Sequence, residues 1–410
     1  GWIIQGGDTS TVSGTEANLI VQASGEATGG SVALGASSTI SPGTMTVHSD
    51  SGDAQGLRAD LGVGSEVIVS DTMAVTSLNQ SAQALDVTGE TGVKVQLSET
   101  IRDTGQTAAT GLRVQDIPQA VVKQTGETLS VTAQNGPGTG MVIQGAQSRL
   151  DQASTAAISV EAIGGSATGI KMAGDAISKV NMITYAGTVD VMAQGPATGI
   201  DFQGDTIIQT SDGILKVESL DDSATGIKMS GDTAVLQGRI TTQAHGTQAA
   251  TGVDFSGREV LLTESGRLEV RGADGMTSGL VADTDGLHSL RSNGKIRVED
   301  TGMGTATGVR AIGSQAMVRQ DTGLIQVVSD LGSGQGVEAE GRFFYQGTSA
   351  TIQAGTEARV LGGLGVGLAV RADTMTQAGT VSVAAQGAAT GIDVQADTFL
   401  QTPSGRLRVR

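Results

Sequence analysis

The chain has no cysteine, so no disulfide frames it. Lack of thiols does not fix the compartment, although a cysteine-free chain suits export in an unfolded state. It has 5 prolines, and aromatic residues make up 2% of it, too few for a core built around large rings. Basic residues number 25 against 42 acidic ones, for a formal charge of −17. That balance argues against nucleic acid and against anionic membrane surfaces as partners. No run of about 20 apolar residues is present, so no transmembrane helix is expected. Phosphate-binding loops, dinucleotide fingerprints, nucleophile elbows and zinc-ligand spacings are also missing.

What is abundant is glycine, 62 residues, about twice ordinary usage. It comes without the three-residue period of collagen. An apolar fraction of 38% is too high for a disordered chain. The glycines belong to a tripeptide, Ala-Thr-Gly or a close variant. It begins at residues 27, 54, 82, 109, 138, 167, 197, 224, 250, 277, 306, 334, 365 and 389, an average spacing near 28 residues. A sustained period of this size means one supersecondary unit stacked along an axis.

Register within the repeat selects strands. After the tripeptide, apolar and outward residues alternate, as in Ile170-Lys171-Met172, Ile200-Asp201-Phe202, Ile227-Lys228-Met229 and Val253-Asp254-Phe255. Alternation by two is the mark of a strand with one buried face. The outward column runs Arg58, Asp86, Arg113, Val142, Lys171, Asp201, Lys228, Asp254, Val281, Arg310, Glu338, Ala369, Asp393. Its sign flips wherever neighbours are both charged. Like charges opposite each other on adjacent strands are unfavourable, so each repeat is expected to pair with the next in parallel and in register. A second strand closes the repeat as Gly-x-apolar-x-apolar, for example Gly187 to Val191, Gly266 to Val270 and Gly405 to Val409. A looser segment of variable length lies between the two.

Three short strands in about 28 residues predict an all-β fold: a right-handed parallel β-helix of about 14 rungs. At ~4.8 Å per rung the rod would be roughly 65 Å long. The whole of 1–410 reads as one continuous solenoid, with 1–26 a partial leading rung. Neither end carries a visible cap, which predicts a piece of a longer array or a unit that stacks end to end.

Phrases such as ATGIKMAGD, ATGIDFQGDT and GTVSVAAQGAATGI resemble the passenger regions of bacterial autotransporters and related large surface adhesins. The resemblance covers nearly the whole chain but is one of repeat style. It implies an extracellular, cell-surface, non-catalytic stalk or passenger, whose partners would be copies of itself, other surface proteins or glycans. It transfers no catalytic residue, and no cofactor is expected. Alternatives are a self-stacking subunit of an extracellular filament or sheath, and a carbohydrate-active β-helix enzyme or tailspike.

Candidate sites are sparse. Asp175, Asp205 and Asp232 recur at one phase of successive repeats, followed later by Asp373 and Asp397. Such a column could hold Ca²⁺, or each Asp could cap its own turn. The carboxylate pairs Asp221-Asp222 and Asp50 with Asp53 are the only candidates for acid/base work, and they lack aromatic sugar platforms. His48, His245 and His288 fall on distant repeats, too scattered for a metal site. Phe343-Phe344-Tyr345 breaks the repeat consensus and could be an exposed binding patch, with alternation placing one or two of the three in the core. Phe202 and Phe255 read as core. Trp2 falls in a possible junction region.

Overall fold

In the computed structural model the described residues are 2–13, 18–174, 181–283, 286–356 and 363–410. They contain strands and turns and no helix. All strand pairings among them are parallel, and the chain is a β-solenoid of about 14 turns with about 28 residues per turn. The residues fall into two compact units, 1–206 and 207–410.

The first unit shows the repeat plainly. One turn comprises Ala54–Leu61 on a first face, Glu66–Val69 on a second and Met73–Ser77 on a third. Each strand pairs with its equivalent one turn later. Leu57 stands opposite Leu85, Val67 opposite Val95 and Met73 opposite Ile101. Identical phases therefore stack, and inward positions form continuous apolar columns such as Leu85, Leu112, Met141, Ile170 and Ile200. All five are solvent-inaccessible. Burial of this aliphatic interior, at ~25 cal/mol per Å² of apolar surface, is the main stabilising term.

The glycine of the tripeptide has a steric cause. A Cβ on Gly111 would lie 2.5 Å from Leu129 Cδ1 and 2.9 Å from Val131 Cγ2. One on Gly140 would lie 2.5 Å from the Gly169 carbonyl oxygen and 2.6 Å from Ile158 Cγ2. The first face presses so closely on the third that only hydrogen fits.

The second unit repeats this plan with one variation. In several turns the first two faces fuse into a single bent strand, as in Ala224–Leu236 and Ala250–Leu262. Register runs through the bend from Gly231 opposite Gly257 to Thr233 opposite Glu259. Elsewhere a turn intrudes at the corner, and Thr305–Ile312 and Met317–Gln320 remain separate. The expected count of three strands per turn thus becomes two wherever the corner bends without losing its ladder.

Two polar columns close the corners. On the second face, the last inward residue is repeatedly glutamine. Gln124 stacks on Gln152, and Gln320 on Gln346 and Gln377. Gln152 donates to Gln124 Oε1 at 3.1 Å, and Gln377 to Gln346 Oε1 at 3.3 Å. Each also reaches a nearby backbone carbonyl, as Gln124 does to Ala157 at 2.8 Å and Gln346 to Thr380 at 3.2 Å. Buried amides persist only when paired in this way. At the corner leaving the third face, Ser49, Ser77, Ser219 and Ser329 each accept a bond from the amide three residues on. Serine suits these positions because its short hydroxyl replaces a missing backbone partner.

Candidate functional site on the outward columns

The outward column of the first face is a row of facing charges. In the first unit Asp86 stands between Arg58 and Arg113, and Lys171 stands opposite Asp201. Val142 separates Arg113 from Lys171. In the second unit Lys228 faces Asp254, Val281 follows, and Arg310 faces Glu338. Ala369 then separates Glu338 from Asp393. Arg310 Nε approaches Glu338 Oε2 at 3.5 Å. Third-face strands carry similar pairs, Glu269 opposite Arg297 and Arg271 opposite Glu299 at 3.5 Å. These are solvated pairs, each worth a few tenths of a kcal/mol to about 1 kcal/mol. Their larger effect is on register, since a slipped strand would set like charges together.

The acids singled out in the sequence have turn roles. Asp222 Oδ1 accepts the Ser223 amide at 2.6 Å, and the Asp222 amide is spent on Ser219. Asp53 Oδ1 accepts the Ser81 amide at 3.0 Å. Asp50 pairs with His48 at 3.1 Å, and His245 with Glu218 at 2.8 Å. Of the proposed Ca²⁺ column, Asp175 lies outside the described residues, and Asp205 and Asp232 belong to different units. Within the second unit, register places Asp232 beside Arg258, and Arg342 approaches Asp373 at 4.0 Å. That column mixes signs, with one adjacent carboxylate pair where register sets Asp373 beside Asp397. Among the described residues no three His, Asp or Glu side chains converge as a metal ion requires.

The aromatic triplet divides by alternation. Phe344 is 2% exposed and joins the core, which corrects its inclusion in a binding patch: its side chain points inward between Val318 and Met375. Phe343 and Tyr345 point outward, half-buried, on the second face. Their rings lie parallel within 7°, centroids 6.4 Å apart. Arg319, opposite Tyr345, sets its guanidinium 5.2 Å over that ring. Asp321 pairs with Arg319 and accepts from Arg291 at 2.7 and 2.9 Å. Met317, opposite Phe343, is 51% exposed. One carboxylate thus orients two arginines, one of which covers an aromatic ring. Phe343-Phe344-Tyr345 was visible in sequence, whereas Arg291, Arg319 and Asp321 join it only across turns. The signal for them is the 26–28-residue offset between positions 291, 319 and 345.

Phe202 and Phe255 are both buried, and Trp2 stands opposite Gly30 in the inward column that continues to Leu57, where a Cβ on Gly30 would touch its ring.

No protein family, curated protein or solved structure matches the chain. No described helix is long and apolar enough to cross a membrane.

Proposed function

We propose that this β-solenoid is the stalk or passenger of a bacterial surface protein, acting by shape and by contacts along its sides rather than by catalysis. The observation that carries this reading is the persistence of one register through each unit. Inward columns are filled by aliphatic side chains, and outward columns by paired charges and small polar residues. Such a scaffold presents lateral surface at low sequence cost, as repeat architectures do. The Phe343, Tyr345 and Arg319 cluster is the place on that surface best suited to a partner, since it joins apolar area to a fixed cation. The repeat-style resemblance to autotransporter passengers and large adhesins supports an extracellular location.

Negative-stain electron microscopy of the purified chain, with and without millimolar calcium, tests the reading. Discrete elongated particles in both conditions are expected. Long fibres of constant width would favour the self-stacking filament instead. A change seen only with calcium would return the Asp205 and Asp232 positions to consideration as ligands. Cleavage of acidic polysaccharides by the wild-type chain, lost in Asp221→Ala with Asp222→Ala, would replace the structural role with an enzymatic one.

A further inference from the structure

Asp103 occupies a position that its neighbours fill with valine. On the third face it stands opposite Val75 of the preceding turn and Val131 of the following one. Its side chain points inward and is 1% exposed. Neither carboxylate oxygen has a hydrogen-bond partner. The same turn also departs from the repeat at the tripeptide, where the glycine is replaced by Ala84. Elsewhere that glycine makes room for the branched γ-carbons of the facing residue, as Gly56 does for Val75 and Gly111 for Val131. By the same phase Ala84 faces Asp103, whose Cβ carries a single branch. The extra methyl and the missing one compensate, so the carboxyl is built into the packing.

The surroundings hold no counter-charge. The inward residues of the strands packed against it are Met73 and Val75, Leu129 and Val131, Leu85 and Leu112, and Val95 and Leu97, all buried and uncharged. The charged residues of those strands and of its own, Asp86, Arg113, Lys94 and Arg102, occupy outward positions. An ionised carboxylate in such a site has neither solvent nor a partner.

We propose that Asp103 is a pH-sensitive seam in the first unit: neutral, it allows the turn to close, and ionised, it drives local opening of Ile101–Gly105 from the strands on either side. Burial holds the carboxyl well above its ordinary value of 3.8, opposed in part by a backbone hydrogen bond from Thr110. That bond falls outside normal geometry and leaves both oxygens effectively unpaired. The sign follows from proton binding. The closed turn binds a proton more tightly than the open one, so closure is fully favoured below the ordinary carboxyl range. It is lost progressively as pH rises towards the raised value in the closed turn. Within that window the opening equilibrium changes by about tenfold per pH unit.

Amide hydrogen exchange from pH 4 to 8, corrected for intrinsic rates, tests this on the full chain. Opening of Ile101–Gly105 should rise with pH relative to Thr188–Ala193 in the same unit. In Asp103→Asn the two segments should keep a constant ratio at every pH. A second variant, Ala84→Gly with Asp103→Val, restores the repeat pattern and should also abolish the pH dependence while slowing exchange. Wild-type profiles for the two segments that stay parallel across the range would overturn the proposal, as would an Asp103→Asn profile identical to wild type.

Discussion

Thr277 donates its hydroxyl to Asp300 Oδ2 at 2.8 Å, inside the second unit. Thr277 stands where the adjacent turns have Ala250 and Ala306, and Asp300 where they have Gly272 and Ser329. Two departures from the repeat therefore answer each other. The other carboxylate oxygen of Asp300 accepts the Gly302 amide at 3.0 Å, the same corner task that serine performs elsewhere. Asp300 is as deeply buried as Asp103, yet it has a donor for each oxygen.

Thr277→Val keeps the shape and removes the donor. It should lower stability by about 1–3 kcal/mol, because a buried carboxylate oxygen is left without its partner. Equilibrium denaturation of the variant beside Thr277→Ser, which restores the hydroxyl, checks it. Equal midpoints for Val and Ser would show that the bond contributes nothing.

Asp86→Lys would set three cations in register with Arg58 and Arg113. The expected loss is roughly 0.5–2 kcal/mol at low ionic strength, from two cross-strand pairs turned repulsive. Added salt should recover much of it by screening. Thermal midpoints measured in low and high salt supply the comparison, and a salt-independent loss would point to packing instead.

Gln346 accepts from Gln377 and donates to the Thr380 carbonyl. Gln346→Leu is close in volume but strands both partners, and should cost about 1–3 kcal/mol. Loss of slow-exchanging amides in Thr380–Ala384 would accompany it. Retention of full protection there would mean that the amide column is dispensable.

Tyr185 takes the place of a glutamine in the same column, opposite Gln152. Its hydroxyl is buried without a partner, and burial pushes the phenol above its usual range. Tyr185→Phe removes a desolvated polar atom and keeps the ring. It should leave stability unchanged or raise it by about 1 kcal/mol, the reverse of most core substitutions. A clear drop in the denaturation midpoint would show that the hydroxyl is bonded in solution.

Much of this was legible in the chain because the repeat is local. Ile170, Lys171 and Met172 alternate within one strand, and their equivalents a turn later do the same, so period and phase follow from spacing. The division of Phe343, Phe344 and Tyr345 into two outward rings and one core ring follows from that alternation too. The glutamine column was present as a recurring Gln at the end of VVKQ, RLDQ, MVRQ, FFYQ and TMTQ. Nothing in one copy distinguishes it from a solvated residue, because burial there depends on the corner closing over it.

By itself the sequence determined the all-β class, the length of the turn and the direction in which each strand side faces. Those properties depend on neighbours in the chain and on a repeat that stacking must preserve. Only the tertiary structure decided which departures belong together: Ala84 with Asp103, Thr277 with Asp300, and Arg319 with Tyr345. Members of each pair lie 19 to 26 residues apart in positions that read independently along the chain. They meet because the solenoid turns the chain back on itself, and close packing and desolvation then act on both at once.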